Sequence, residues 1–303
     1  MNPEASTPAI GFAIPFYRDV EMLRLAIESV LEQTRTDWAL VVIDDSGEEL
    51  GVETLVAGFR DDRISYQRNP GNLGMVATWN RGIDLATSDL VTLLHADDRL
   101  LPHYAASMIE LAARHPDAAA LYCEAEIIDE SGRHRFSMAD WVKGFLRPSS
   151  ADGVVILKGE AAVADLMAGY FIMTPTLCYR TSRLAERRFD PRWRQVQDLM
   201  FIVGLLVEGH TVVGTRETAY AYRRHAASAT SVQSESLVRF DEEVEAFDAI
   251  ANELESLGWL RAAHVAHGKR IIKLHLLYRV FRSLSRLRLA AAAEALRYRL
   301  RLR

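Results

Sequence analysis

The sequence predicts an α/β fold, with a mostly parallel central sheet flanked by helices and a C-terminal helical extension. Short apolar runs alternate with amphipathic helical patterns from residue 10 to residue 128. Strand–helix–strand units of this length favour parallel strands joined by right-handed crossovers. From residue 237 onward the pattern is helical, with breaks expected at Gly258 and near Gly268.

Apolar runs bounded by turn residues predict the strands of the N-terminal half, which are 10–14, 38–43, 63–67, 89–94 and 119–128. Apolar residues at helical spacing predict the helices between them, which are 20–34 with Asp19 as its N-cap, 48–59, 75–86 and 103–114. The later elements are less regular: a loop over 136–159 in which Trp141, Phe145 and Pro148 either cover a site or pack on the surface, a helix over 158–167, a strand over 176–179, a helix over 197–208, and strands over 211–214 and 219–222.

Composition indicates an ordinary soluble globular protein. The 303 residues suffice for one large domain or two modest ones, and 49% of them are hydrophobic. The two cysteines match no zinc or redox spacing, which fits a reducing compartment. The polar N-terminus does not resemble a signal peptide. No run of about eighteen apolar residues predicts a membrane span. We therefore expect a cytoplasmic protein, with peripheral contact at the inner face of the membrane as a further expectation.

That further expectation comes from an uneven distribution of charge. Residues 260–303 carry 12 lysines and arginines against one acid, Glu294, which gives +11 and leaves −16 for the rest of a chain whose net charge is −5. Apolar residues interleave with these cations over 271–289. An amphipathic helix on an anionic membrane and a helix packed on the body with a basic outer face both fit this pattern. Nucleic-acid binding is disfavoured because the body is acidic and no recognition motif is present.

Acidic residues follow two of the predicted strands. Asp44 and Asp45 end the second strand, while His95, Asp97 and Asp98 follow the fourth. Because parallel strands end at the same edge of a sheet, we expect both groups to lie there. Carboxylates at such an edge can hold Mg2+ or Mn2+, and the cation can hold a diphosphate. Ordinary acidic turns and helix caps fit the same residues.

The sequence disfavours two other classes of nucleotide site. The pattern G-x-G-x-x-G does not follow the first strand, and the chain has no Walker-type phosphate loop. A dinucleotide oxidoreductase and an ATP-binding fold are therefore both disfavoured.

Two further groups of residues fit a catalytic site. Asp198 opens a predicted helix, where a carboxylate serves either as a cap or as a general base. Arg224 and His225 follow the last predicted strand, where they fit either phosphate and metal binding or a solvated surface.

Several short motifs follow one another along residues 10–231. They are Ile14-Pro15-Phe16-Tyr17, Val42-Ile43-Asp44-Asp45-Ser46, Asn69-Pro70-Gly71-Asn72-Leu73-Gly74, Asn80-Arg81-Gly82, His95-Ala96-Asp97-Asp98, Phe189-Asp190-Pro191, Gln197-Asp198 and Tyr222-Arg223-Arg224-His225. In order and spacing this set resembles the family 2 glycosyltransferases, which have the GT-A fold.

The resemblance implies an inverting transfer of a sugar from a UDP-, GDP- or dTDP-linked donor to a hydroxyl of a saccharide or lipid-linked acceptor, with Mn2+ or Mg2+ as cofactor. It also implies a catalytic domain over 1–232, with a donor-binding half over about 1–130 and an acceptor-binding half over about 131–232, and a helical region over 233–303. The residues that it assigns are Pro15 and Tyr17 against the base, Asp44, Asp45, Asn72, Asp98 and Arg224 with the donor, Asp97, His225 and His95 at the metal, and Asp198 as general base.

Two residues depart from the family pattern. His95 replaces the first acid of the family's D-x-D, and Gln197 replaces the glutamate of its E-D pair. A catalytically silent relative that binds a nucleotide sugar or a partner enzyme therefore remains an alternative.

Overall fold

A computed structural model describes residues 7–135, 150, 152–225 and 238–302. Trp141, Phe145 and Pro148 of the predicted covering loop lie outside these residues. Nine strands of the described part form one mixed sheet, whose order is β3-β2-β1-β4-β8-β6-β9-β5, with β7 paired to β9. The predicted α/β class is confirmed. The strands are β1 Ile10–Phe16, β2 Trp38–Asp44, β3 Ile64–Arg68, β4 Leu90–Leu93, β5 Arg99–Leu100, β6 Ala118–Ile128, β7 Val154–Leu157, β8 Cys178–Arg180 and β9 Thr211–Arg223.

Helices cover the sheet and form the C-terminal region. A single 3-10 turn, Thr174–Thr176, precedes β8. The helices are α1 Val20–Leu31, α2 Val52–Gly58, α3 Met75–Asp84, α4 Tyr104–Arg114, α5 Gly159–Ala168, α6 Thr181–Leu184, α7 Gln197–Val207, α8 Val238–Ser256, α9 Leu260–Gly268, α10 Arg270–Ser285 and α11 Leu289–Arg301.

The first four strands run parallel. Strand β1 lies between β2 and β4 and pairs in parallel with both, while β3 pairs in parallel with β2. Antiparallel pairs join β8 to β4 and to β6, and join β5 and β7 to β9, whereas β6 and β9 are parallel. The parallel half therefore carries its strand ends to one edge, as the strand–helix alternation predicts.

Several predicted boundaries hold. The carboxylate of Asp19 accepts a 3.1 Å hydrogen bond from the Met22 amide, so Asp19 caps α1 as expected. The C-terminal helices break after Ser256 and after Gly268, at the two predicted positions.

Three strands differ from the prediction. The sequence does not predict β5 and β7, and the two short strands predicted over 211–222 form one strand, β9. Gly214 lies inside β9 and packs against the Tyr122 ring, where a Cβ would come within 2.0 Å of the ring. The glycine is therefore needed for packing and does not form a turn. Helix α2 begins later than expected, since Gly51 before it adopts a φ of 73°.

The C-terminal helices pack on the rest of the chain. Phe240, Ile250 and Leu276 belong to the same buried cluster as Val203 and Leu206 of α7. Within the described residues, no helix combines the length and the apolarity that a bilayer crossing requires.

Helix α3 lies unusually close to the sheet at Gly82. A Cβ at this position would lie 2.9 Å from the Ala13 Cβ and 3.0 Å from Leu93 Cδ2. Both neighbours belong to the packed strands β1 and β4, so neither can move away without disturbing the sheet. The small residue lets α3 seat against the strands that end at the candidate site.

We expect Gly82→Ala to lower the free energy of unfolding by about 1–3 kcal/mol, because the added methyl overpacks the contact with β1 and β4. Urea unfolding followed by circular dichroism measures this difference. Gly58→Ala is the matched control, since nothing lies within 4 Å of a Cβ built there. Equal stability of the two variants would contradict the packing argument.

Candidate functional site

The ends of β1, β2 and β4 bring the two acidic groups to one edge of the sheet. The Asp45 amide donates a 2.7 Å hydrogen bond to the Phe16 carbonyl, and the Leu94 amide donates a 3.0 Å bond to the Ala13 carbonyl. The chain thus leaves β2 and β4 on either side of the end of β1. The expectation that Asp44-Asp45 and the residues after β4 share an edge is confirmed.

The carboxylate of Asp45 holds the loop that leads into α3. Its Oδ1 accepts hydrogen bonds from Asn69 Nδ2 at 2.7 Å and from the Leu73 amide at 2.7 Å. Its Oδ2 accepts a 2.9 Å bond from the Gly74 amide, and the Asp45 carbonyl accepts a 2.9 Å bond from Asn72 Nδ2. Asp45 is buried, so it fixes the loop in this structure, and its contact with a nucleotide base stays a prediction.

Asp44 is also buried and bonded within the chain. Its Oδ2 accepts a 2.8 Å hydrogen bond from the Tyr66 hydroxyl, and its Oδ1 accepts a 3.0 Å bond from the Ser46 amide. Burial and the nearby Asp44 raise the pKa of Tyr66 to about 12, so the phenol keeps its proton. The alternative of a plain helix cap does not hold, because the N-cap of α2 is Gly51.

Tyr17 and Asn72 offer accessible surface beside these buried acids. Tyr17 follows β1, is 50% exposed, and has the Arg18 guanidinium 4.4 Å from its ring centroid. Asn72 is exposed and Pro15 is half-buried on the same edge. An exposed aromatic ring beside polar groups suits stacking of a base, so the geometry is compatible with the predicted roles of Pro15, Tyr17 and Asn72.

Asp97 lies beside two histidines, His225 and His95, which are possible metal ligands. Nε2 of His225 lies 2.9 Å from Oδ2 of Asp97, although the two residues are far apart in sequence. The ligand atoms of His95, Asp97 and Asp98 all lie within 4.8 Å of one another. One carboxylate with two imidazoles suits Mn2+ better than Mg2+, which prefers oxygen ligands. The residue types therefore fit a divalent cation.

His95 packs on a tryptophan. Its ring stacks on Trp79 of α3 with centroids 5.6 Å apart and an interplanar angle of 21°. Burial lowers the pKa of His95, while the charges of Asp97 and Asp198 act in the opposite direction. A neutral imidazole is the form that binds a metal. Asp97 and Asp198 are thus the two carboxylates whose charges act on this ring.

Asp98 is enclosed by the chain. Its Oδ1 accepts a 2.7 Å hydrogen bond from the Arg223 amide, and its Oδ2 accepts a 3.0 Å bond from the Tyr220 hydroxyl. Burial raises the pKa of Asp98, and these two bonds partly offset the shift. Asp98 therefore joins the turn after β4 to β9. Its contact with a donor stays a prediction, which this burial does not support.

The buried Arg223 also supports that turn. Its Nε donates a 2.7 Å hydrogen bond to the Asp97 carbonyl, and one terminal nitrogen donates to the carbonyls of Asp129 and Glu130 at 3.0 and 3.1 Å. Arg224, which the resemblance assigns to the donor, lies half-buried with its guanidinium 5.8 Å from the Tyr222 ring. The two consecutive arginines thus differ in role, and only Arg224 retains accessible surface for a phosphate.

Asp198 lies in the first turn of α7 but does not cap the helix. The N-cap is Val196, and the Asp198 carboxylate accepts a hydrogen bond from the hydroxyl of Thr174. The helix N-terminus favours the ionised carboxylate at this position. The capping alternative is thereby excluded, and a partly exposed, oriented carboxylate remains.

A glutamate of α8 holds the segment that leads into α7. Oε1 of Glu242 accepts hydrogen bonds from the amides of Arg194, Gln195 and Val196 at 2.7, 2.6 and 3.3 Å. Three successive amides at a helix N-terminus form a site for a negative charge. The C-terminal region thereby fixes the start of the helix that carries Asp198.

Gln197 is buried next to Asp198. Within the described part of the chain, its Oε1 has no hydrogen-bond partner. The neutral amide in place of a glutamate avoids a buried charge next to the Asp198 carboxylate, which would be costly.

Sequence reasoning missed three residues of the site. In the sequence, Trp79 is one of several apolar residues on a helix face, and Glu242 is one of several acids on α8. Thr174 lies in a segment that has neither helical nor strand periodicity. No local signal distinguishes them, because each is brought to the site by tertiary packing alone.

Comparison with known proteins finds a family model and relatives that are similar to part of this chain. The model of glycosyl transferase family 2 matches residues 12–156. The chain is 27% identical to the uncharacterized glycosyltransferase MJ1057 of Methanocaldococcus jannaschii over 44% of this chain and 47% of that protein. It is 28% identical to the amylovoran biosynthesis glycosyltransferase AmsB of Erwinia amylovora over 63% of this chain and 61% of that protein. The chain thus spans less than two thirds of either relative.

A solved structure agrees with the family model on the fold. The mannosyltransferase PcManGT from Pyrobaculum calidifontis, in complex with GDP-Man and Mn2+, matches with a TM-score of 0.62 at 15% identity, covering 98% of this chain and 76% of that chain. At this identity the likeness concerns the fold, and it confirms the expected GT-A type. By its motifs and its matched region the chain is similar to glycosyl transferase family 2, and its fold is of the GT-A type.

Proposed function

We propose that the chain transfers a sugar from a nucleotide-diphospho-sugar donor to an acceptor hydroxyl with inversion at the anomeric carbon. The observation that carries the proposal is the gathering of Asp97, His225 and His95 at one sheet edge, within electrostatic range of Asp198. The match of residues 12–156 to the model of glycosyl transferase family 2 supports the reaction class. PcManGT has the same fold and was solved in complex with GDP-Man and Mn2+, which supports the donor class.

Asp97 and His225 are the residues that would hold a divalent cation, with His95 beside them. A bound cation would neutralise negative charge on the departing diphosphate. The two imidazoles favour Mn2+ over Mg2+ as the cofactor. Arg224 adds a positive charge at the end of β9, where it can approach the same diphosphate.

Asp198 would act as the general base. The acceptor oxygen forms a bond to the anomeric carbon while the bond from that carbon to the diphosphate breaks, and the acceptor proton passes to Asp198. The bond from Thr174 fixes the carboxylate, and the bonds to Glu242 fix the segment before its helix, before the acceptor arrives. One displacement from the face opposite the leaving group produces inversion.

The loop held by Asp45 would form the base-binding side. Tyr17 and Pro15 supply surface for the base, and Asn72 is held on the same side by its bond to the Asp45 carbonyl. The identity of the base and of the sugar stays open among UDP-, GDP- and dTDP-linked donors.

The acceptor would be a saccharide or a lipid-linked saccharide. The name of AmsB refers to amylovoran biosynthesis, which supports a role in polysaccharide biosynthesis for the cell envelope. The basic, amphipathic C-terminal helices support action from the cytoplasm at the inner face of the membrane.

A catalytically silent relative is the second candidate, and the observation that favours it is the pair of substitutions His95 and Gln197. Calorimetry with nucleotide sugars separates the two. Binding that is independent of Mn2+, without turnover of any donor, would favour the silent relative.

We expect Asp198→Asn to lower kcat by about 100-fold or more, because the acceptor proton loses its base. Purified chain is assayed with Mn2+ and a panel of UDP-, GDP- and dTDP-sugars, by release of the nucleotide. Donor affinity by calorimetry should stay near that of the unaltered chain. Asp62→Asn, at an exposed acid distant in sequence, is the control. Turnover by Asp198→Asn equal to the control, or no turnover of any donor by the unaltered chain, would contradict the proposal.

We expect Glu242→Ala to lower both stability and kcat, because three amides at the start of α7 lose their acceptor. The loss of stability should be about 1–3 kcal/mol in urea unfolding. Glu242→Gln should recover part of it, since an amide oxygen still accepts hydrogen bonds. Glu245→Ala, at an exposed position of the same helix, is the matched control. The proposed role of Glu242 in holding the segment before α7 is contradicted if the Glu242→Ala and Glu245→Ala variants unfold alike and have equal kcat.

A further inference from the structure

Helices α10 and α11 form an antiparallel pair, which we name the C-terminal hairpin (residues 270–301). Nε of Arg299, near the end of α11, donates a 3.3 Å hydrogen bond to the carbonyl of Lys273, near the start of α10. Val280 packs with Ala292 and Ala295 between the helices. Ile272 and Leu276 join the main core. The inner side of the hairpin is therefore already covered by the chain.

The outer side of the hairpin is apolar. Of the fifteen exposed large apolar side chains among the described residues, eight lie within the hairpin. Single exposed leucines are common on soluble proteins, but such a concentration marks an interaction surface. The eight are Leu274, Tyr278, Phe281, Leu284, Leu287, Leu289, Leu296 and Leu300.

These side chains form stripes along the helices. Leu274, Tyr278 and Phe281 recur at intervals of four and three residues, so they share one face of α10, and the latter two are 65% and 61% exposed. Their face is opposite the one that carries Ile272 and Leu276. In the turn between the helices, Leu287 adopts a φ of 57° and is 85% exposed. A positive φ is an unfavourable backbone conformation for a leucine, so the turn keeps this apolar side chain on the outside at a conformational cost.

Cations accompany the stripes. Residues 260–303 carry a net charge of +11, while the remaining residues carry −16. Among the described residues, none of the exposed arginines of the hairpin forms an ion pair within the chain; these are Arg270, Arg282, Arg286, Arg288, Arg297 and Arg301. Their charge is therefore available to an external anionic partner.

An anionic bilayer surface can bind both the apolar stripes and the exposed arginines. Apolar side chains enter the boundary between headgroups and acyl chains, and arginines at the flanks meet lipid phosphates. A nucleic acid would use the cations but leave the apolar stripes in water. A second hairpin would cover the stripes but would bring a second concentrated positive charge against the first.

We propose that the C-terminal hairpin lies flat on an anionic membrane, with Leu274, Tyr278 and Phe281 buried in the interface. The proposed membrane contact depends on the residues of the hairpin alone. Its use in reaching a lipid-linked acceptor rests on the proposed function, because the hairpin packs on α8, whose Glu242 holds the segment before the helix of Asp198.

The test is co-sedimentation of the full chain with vesicles, without donor or metal. We expect binding to phosphatidylcholine vesicles that contain about 30% phosphatidylglycerol, and little binding to phosphatidylcholine alone. Binding should weaken between about 0.1 M and about 1 M NaCl, because salt screens the attraction between arginines and phosphates.

Two double variants separate the apolar and the charged contributions. Tyr278→Ser with Phe281→Ser should weaken binding by about 10-fold or more, because the buried apolar area is lost. Arg282→Gln with Arg286→Gln should weaken it by about 10- to 30-fold. Ile156→Ser, at a 59% exposed residue of β7, and Arg114→Gln, at an exposed arginine of α4, are the controls and should bind like the unaltered chain. All the substituted side chains are exposed, and circular dichroism verifies that each variant is folded.

Equal binding to both kinds of vesicle, or hairpin variants that bind like the controls, would overturn the proposal. Analytical ultracentrifugation tests the second copy as occupant. If the unaltered chain is a dimer that does not bind vesicles, and the Tyr278→Ser, Phe281→Ser variant is a monomer, the surface belongs to a second copy and the proposal is overturned. Donor turnover with a soluble acceptor is measured separately, so loss of vesicle binding and loss of the proposed transferase activity are distinguishable.

Discussion

The parallel pairing of β1 with both β2 and β4 is the constraint on which the site depends. The register aligns Phe16 with Asp44 on one side and Ala13 with Leu93 on the other. A slip by one residue would turn the buried side chains of a strand to its opposite face, so the register is strongly held. This pairing brings acids that are some fifty residues apart in sequence to one edge. Gly82 contributes by letting α3 seat on the same strands.

The acids at this edge divide into two kinds. Asp44, Asp45 and Asp98 are buried, and their oxygens accept hydrogen bonds from the chain, so they fix the loops. Asp97 and Asp198 are partly exposed; Asp97 contacts His225, and Asp198 accepts a hydrogen bond from Thr174. The division explains why the Asp97 carboxylate keeps accessible surface: Asp98 and Arg223 hold the turn behind it. A buried acid and a partly exposed acid are thus consecutive in the chain at Asp98 and Asp97.

The sequence predicts the parallel half of the fold because its strands are apolar runs with clear turn residues at their ends. It does not reveal β5, which has two residues, or the role of Gly214, which depends on the ring of Tyr122 across the sheet. Of the site, the positions of Asp97 and His225 follow from topology and from resemblance. The buried state of Asp45 and Asp98 does not, because a carboxylate at a strand end looks the same in sequence whether it faces a loop or a ligand. The contact of Glu242 with the segment before α7 is likewise visible only when α8 packs against α7.

The central claim is that one sheet edge gathers a divalent cation, a donor and a base. A crystal structure of the chain with Mn2+ and a nucleotide sugar, with manganese located by its anomalous scattering, tests it most directly. The claim predicts one manganese peak bonded to Asp97 and His225, a diphosphate beside it, and the sugar between the metal and Asp198. A manganese and nucleotide bound away from Asp97, or a sugar that Asp198 cannot reach, would contradict it.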